Sequence, residues 1–285
     1  MRYTEAKNLC VKVLSNPTSK HMVPMFTSAP GPGKTACQVD IGRTLGFHDD
    51  DAETSNIILL RPSLHDPVDF IGVPFVEGGV SEFAPPRTMA QLADKPMFLI
   101  IDEISDAVPM MQNVLCGIIY DKRVGNVRFH PDTIMMASGN RTQDKSGAQR
   151  VVSKLANRLW HIPFEANVDD LATFFRAKGY DSEHAAFLRF RPGLLHDFNP
   201  DRFENPTPRS WEQVAKLPWD ILAESELYAA VAGHVGEGAA AERVGFHKIA
   251  SELEAVDYIL ANPKKAKVPS DLSALYAVCG ALADR

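Results

Sequence analysis

Ser28-Ala29-Pro30-Gly31-Pro32-Gly33-Lys34-Thr35 stands between an apolar run, Val23 to Thr27, and a helical pattern, Lys34 to Leu45. A strand that turns through glycines into a helix is the context a phosphate-binding loop needs. The glycines let backbone N–H groups converge on phosphate oxygens. Lys34 would reach the β- and γ-phosphates, Thr35 would hold Mg²⁺ through its hydroxyl, and the helix start adds partial positive charge. The nucleotide-lining residues are then Ala29, Pro30, Gly31, Pro32, Gly33, Lys34, Thr35 and Ala36. Ser28 stands where the G-x-x-x-x-G-K-[ST] pattern has its first glycine. A Pro/Gly turn that only joins a strand to a helix would look similar, so the surrounding elements must decide. As a residue of an exposed loop, Lys34 is expected to add little to stability.

Outward from the loop, the first half of the chain alternates short apolar runs with amphipathic stretches, the pattern of a parallel sheet covered by helices. The five runs are Val23 to Thr27, Ile57 to Leu60, Met97 to Ile101, Ile134 to Ser138 and Trp160 to Pro163. None has an interior charge, so each is expected to be buried on both faces. Pro109 to Tyr120 carries a second clear helical pattern. Two hairpins interrupt the alternation: Val73 to Phe83 about Gly78-Gly79, and Val124 to Phe129 about Gly125-Asn126. After Glu165 the strand-like runs stop. Helical stretches follow at Val168 to Lys178, Ser182 to Phe190, Ser210 to Leu217, Glu224 to Gly233, Ala239 to Ala261 and Leu272 to Ala283. The predicted division is residues 1–165 and 166–285.

Met97-Phe98-Leu99-Ile100-Ile101 ends in Asp102-Glu103, where ligands bind in open parallel sheets. Asp102 would hold the metal's water shell, and Glu103 would polarise an attacking water as general base. The bland alternative is an acidic start to a helix from Ser105 to Tyr120. Ile134 to Ser138 runs into Gly139-Asn140, which puts a neutral amide at the same sheet edge. Asn140 would position the water or contact the γ-phosphate.

Composition narrows the class. Thirty Lys+Arg against thirty-six Asp+Glu give a formal charge of -6, which supplies no overall field toward a phosphate backbone, so nucleic acid is an unlikely partner. The four cysteines, Cys10, Cys37, Cys116 and Cys279, lack C-x-x-C spacing and read as small buried hydrophobes of a reducing compartment. The five histidines between His161 and His247 lack metal-ligand spacing, and Trp211, Trp219 and Phe190 read as packing. No apolar stretch is long enough to span a bilayer. A cytoplasmic location is expected.

Three strand-end motifs in this order, followed by a helical domain, resemble the AAA+ superfamily of ATPases. The details are similar to its MoxR-type branch over nearly the whole chain. Ser28 to Thr35 resembles Walker A, Phe98 to Glu103 Walker B, and Asn140 sensor 1. Lys154-Leu155-Ala156-Asn157-Arg158-Leu159 is similar to the family's arginine-finger segment, with Arg158 the matching residue and Arg150 nearby. Pro206-Thr207-Pro208-Arg209-Ser210-Trp211 resembles sensor 2, which places Arg209 at the γ-phosphate.

The resemblance implies an α/β fold, a P-loop αβα sandwich with a five-stranded parallel sheet, followed by an all-helical AAA+ lid. It implies ATP and Mg²⁺ as cofactors, hydrolysis to ADP and phosphate, and a homo-oligomeric, hexameric ring. The two hairpins would face the ring's pore or a partner. It further implies chaperone-like remodelling or activation of a protein client, often alongside a von Willebrand factor A domain protein. A nucleotide-switched scaffold with slow turnover and a nucleic-acid motor or loader are the competing readings. The intact Glu103 opposes the first, and the acidic balance opposes the second.

Overall fold

The computed structural model describes residues 1–49, 55–141, 144, 151–253 and 256–283. Its first elements are α1 (Tyr3–Leu14), β1 (Pro24–Ser28), α2 (Lys34–Thr44), β2 (Ile57–Leu60), α3 (Val68–Ile71), β3 (Val73–Glu77), β4 (Val80–Ala84) and α4 (Arg87–Asp94). There follow β5 (Phe98–Ile101), α5 (Pro109–Asp121), β6 (Arg123–Val124), β7 (Val127–Arg128), β8 (Ile134–Asn140), α6 (Ser153–Ala156) and β9 (Trp160–Pro163).

Five strands form one sheet in the order β2-β5-β8-β1-β9, and every neighbouring pair is parallel. Successive side chains on a strand point to opposite faces, so a run that is apolar throughout feeds two cores at once. On β5, Leu99 and Ile101 enter one core with Met111, Leu115 and Ile118 of α5, while Phe98 and Ile100 enter the other with Ala6 and Cys10 of α1 and Ile41 of α2. The same alternation divides Met135 and Ala137 from Ile134 and Met136 on β8. This is the predicted α/β class with a five-stranded parallel sheet between helical layers.

Position in the sheet modifies several expectations. The outer strands β2 and β9 are not buried on both faces, because each has a neighbour on one side only; Leu59 is 40% exposed. The helix expected from Ser105 begins at Pro109, after a short 3₁₀ turn at Ile104–Asp106. Asp102 and Glu103 therefore do not cap a long helix. α1 lies outside the helices expected from the sequence; its Ala6, Cys10 and Leu14, four apart, are buried along one face. Cys10 and Cys37 are buried as expected, whereas Cys116 is half-buried and Cys279 exposed. Burial pushes the Cys10 thiol up to about 12.

Both hairpins form, and both lie in the first compact unit. The β3–β4 pair turns at Gly78-Gly79, and every strand residue in it is exposed. The β6–β7 pair turns at Gly125-Asn126, and Asn126 Nδ2 donates to the Phe83 carbonyl at 3.1 Å.

The chain divides into two compact units, one of Tyr3–Ala29 with Lys34–Glu165, the other of Pro30–Gly33 with Ala166–Arg285. The described elements of the second unit are helical: α7 (Val168–Lys178), α8 (Ser182–Phe190), α9 (Pro208–Ala215), α10 (Glu224–Val235), α11 (Glu237–Ser251), α12 (Val256–Ala261) and α13 (Leu272–Ala283). The single helix expected over residues 239–261 is thus two. Side chains fix the helix starts: Asn167 accepts from the Asp169 and Asp170 amides, Asp181 from Glu183, and Thr207 from Ser210. Phe187, Trp211, Val214 and Val231 fill the core, with Trp211 Nε1 donating to the Leu194 carbonyl at 2.6 Å.

A charged network is buried beside this core. Arg243, 1% exposed, pairs with Glu183 at 2.6 Å, lies 3.9 Å over the Trp219 ring, and meets His184 Nδ1 at 3.1 Å through Nη2. Burial, then the Arg243 charge, then His247 hold the His184 imidazole well below its ordinary value. It is neutral, with Nδ1 accepting from the guanidinium. The unfolded chain takes up a proton below pH ~6.5 that the folded one refuses, so stability should fall by about 1.4 kcal/mol per pH unit below that point. Thermal unfolding of the parent and His184→Gln between pH 7.5 and 5.5 checks this. The variant should show the shallower decline, and equal slopes would refute the assignment.

Candidate functional site

The parallel register brings three strand ends to one edge of the sheet. Ser28 of β1 lies opposite Asn140 of β8, and Ile101 of β5 opposite Ala137, so Asp102 comes level with Ser138. The polar residues that end these apolar strands are thereby gathered at one place.

Lys34 opens α2 and is buried, 9% exposed, not exposed as its loop position suggested. Its ammonium donates to Ser28 Oγ at 2.9 Å, to the Ala29 carbonyl at 3.2 Å and to Asn140 Oδ1 at 3.0 Å. The Ser28 hydroxyl in turn donates a hydrogen bond to the Ala29 carbonyl at 2.7 Å. The residue that departs from the glycine pattern therefore helps to seat the lysine.

Asp102, 5% exposed, is held from all sides. Thr35 Oγ1 donates to its Oδ2 at 3.0 Å, the Glu103 amide donates to Oδ1 at 3.1 Å, and Ser138 Oγ makes a short bond to Oδ1. The Arg61 guanidinium, at the end of β2, lies 3.8 Å from Oδ2. A carboxylate and a hydroxyl already in contact make an all-oxygen donor pair of the kind Mg²⁺ prefers. Thr35 and Asp102 are residues that could hold Mg²⁺.

Glu103 follows directly and is half-buried, with φ 56° and ψ 38°. A non-glycine residue in this left-handed region costs roughly 1–3 kcal/mol, and such residues cluster at functional sites. Ser105 and Asp106, in the next turn, join the cluster through Asn140: the Asn140 amide donates to Ser105 Oγ, which donates to Asp106 Oδ1, both at 2.9 Å.

Pro30–Gly33 belongs to the second unit. There His196 Nε2 lies 2.9 Å from the Pro30 carbonyl, and the Arg209 amide donates to the Gly31 carbonyl at 3.2 Å. Gly31 has φ +89°, and a Cβ added to it would stand 2.8 Å from Thr207 Cβ, so the turn admits no side chain at this position. Arg209 itself opens α9 and is exposed. Ala36 is exposed on α2, its carbonyl 3.4 Å from the Tyr3 hydroxyl.

Lys34, Thr35, Asp102 and Asn140 are thus in one hydrogen-bonded cluster. Arg158 is elsewhere: exposed after α6, its guanidinium 4.2 Å over the Tyr120 ring and its Nη1 bonded to the Lys154 carbonyl. Arg150, the nearby alternative, lies outside the described residues. Ser28 is named by its loop position, as the departure from the glycine pattern; Arg61, Ser105, Asp106 and Ser138 join the site without having been expected there. The sole signal for them was polarity at the ends of apolar runs.

No protein-family model matches the chain, and no curated protein matches its sequence. Among solved structures it is similar to the RuvB Holliday junction branch migration motor of Thermotoga maritima, at 16% identity and TM-score 0.44, over 99% of this chain and 82% of that one. It is also similar to NtrX of Brucella abortus, at 15% identity and TM-score 0.40, over 80% of this chain. The chain spans 48% of that NtrX chain. No helix among the described residues is long and apolar enough to cross a membrane.

Proposed function

We propose that the chain is an ATP-binding and ATP-hydrolysing protein of the AAA+ type, in its MoxR-like branch, working as a homo-oligomeric, hexameric ring on a protein partner in the cytoplasm. The observation that carries this reading is the convergence of Lys34, Thr35, Asp102 and Asn140 at the carboxyl edge of a parallel sheet. In it the Lys34 ammonium meets the terminal phosphates, and Thr35 and Asp102 hold Mg²⁺, which neutralises phosphate charge when bound. Glu103 takes a proton from the attacking water, and Asn140 orients that water. Arg209 is assigned to the terminal phosphate and Arg158 to the nucleotide of a neighbouring subunit. The β3–β4 hairpin, with Val73, Phe75, Val76, Val80 and Phe83 all exposed, is assigned to contact with the partner, whether a client or a von Willebrand factor A domain protein.

Glu103→Gln tests the reaction itself. The variant should bind ATP as the parent does and lose turnover by a factor on the order of 10² to 10⁴. Unchanged turnover removes Glu103 from the base role. A parent that changes mass with nucleotide yet does not hydrolyse it is a switched scaffold, and turnover stimulated severalfold by single-stranded DNA marks a nucleic-acid motor.

A further inference from the structure

The seven residues after β5 do more than carry Asp102 and Glu103. Ser105 is 1% exposed, with its hydroxyl between two other groups of the site. It accepts the Asn140 amide and donates to Asp106 Oδ1. A hydroxyl has one proton, and an ionised carboxylate can only accept. Asp106 Oδ1 therefore accepts the hydrogen bond from the Ser105 hydroxyl, and a Ser105 lone pair is left for the Asn140 N–H. The approach is tight, since a Cβ added at Gly139 would stand 3.1 Å from Ser105 Oγ and 2.8 Å from Met25 Cε.

We infer that Ser105 is a positioning residue for the reaction, fixing the main chain of Asn140 to the turn that carries Glu103, and that Asp106 sets the direction of its hydroxyl. The inference rests on the ATPase reading of the cluster. Asn140 is bound at two points, its amide by Ser105 and its Oδ1 by Lys34. Without the first, the end of β8 keeps its pairing with Ser28 of β1 but loses its tie to the turn that carries Glu103, and can shift relative to it while Lys34 keeps its contacts to Ser28 and Ala29. Misplacement of about 1 Å costs on the order of a hundredfold in rate. Binding of nucleotide at Lys34 should change little.

The test uses Ser105→Ala, Asp106→Ala and the double variant in the full chain, with two readouts. In amide hydrogen exchange, protection at Asn140 should fall about tenfold or more in Ser105→Ala, beyond any change elsewhere on β8. In steady-state kinetics, kcat should fall roughly 10- to 100-fold in each single variant while the ATP dissociation constant stays within about twofold. The double variant should be no worse than the poorer single one, because both substitutions break one relay. Additive losses, or an Asn140 amide as protected as in the parent, overturn the inference. Should Ser105→Ala fail to fold, Asp106→Ala reports on the same link from a half-buried site, and Asn140 protection as high as in the parent then overturns it. A parent without ATPase activity defeats the functional reading and leaves the exchange experiment to decide the contact.

Discussion

Arg158→Ala should lower ATP turnover by a factor on the order of 10³ to 10⁵ and leave ATP affinity nearly unchanged. Arg158 lies between α6 and β9, is exposed, and rests on the Tyr120 ring, while its Nη1 binds the Lys154 carbonyl. Tyr120 and Lys154 are both outside the cluster around Lys34. A cation–π contact at an exposed site is weak, so the guanidinium can leave the ring for a stronger partner such as a phosphoryl group. Under the proposed function, charge that develops on the transferred group would then be neutralised from outside the subunit that binds it. If so, two inactive proteins should restore each other. Mixing Glu103→Gln subunits with Arg158→Ala subunits creates interfaces that pair an intact base with an intact finger, and activity should return in proportion to those interfaces. A mixture that stays inactive, although native mass measurement shows mixed rings, means that Arg158 does not act across subunits. Arg150 is then the next residue to test.

Much of the architecture could be read before any coordinates. Apolar runs of four or five residues between amphipathic stretches, with no charge inside them, leave little choice but strands of a parallel sheet. Local pattern could not tell which strands lie at the edge. Ile57 to Leu60 and Phe98 to Ile101 are similarly apolar, yet Leu59 is 40% exposed and all of β5 is buried, because only β5 has neighbours on both sides. The break between α11 and α12 was hidden for a related reason: Ser251-Glu252-Leu253 contains neither glycine nor proline to announce it.

The site was legible in part and for the same physical reasons. Lys34, Thr35 and Asp102 stand in motifs whose spacing is local, so they could be named from the chain alone. Ser138 and Arg61 reach Asp102, and Ser105 reaches Asn140, only through the register of β2, β5 and β8, which no single window of sequence contains. Ser28 was visible, as a departure from the glycine pattern. Its use as a partner for the Lys34 ammonium depends on the rotamers of both side chains, and these follow from packing.

The most direct test of the whole account is calorimetric titration of Mg²⁺-ATP into the parent and into Lys34→Ala. Lys34 gives hydrogen bonds to Ser28, Ala29 and Asn140, so its removal takes a donor from each of them, at a cost of about 1–3 kcal/mol. Both proteins are therefore compared well below the melting temperature of the variant, with circular dichroism as the check on folding. The ammonium is also the one positive side chain of the loop, and the terminal phosphates are expected against it. The parent should bind one ATP per chain, more tightly with Mg²⁺ than without. The folded variant should show no measurable binding. Equal affinity in the two proteins, or a folded parent that binds no nucleotide, would contradict the phosphate-loop assignment and the ATPase built upon it.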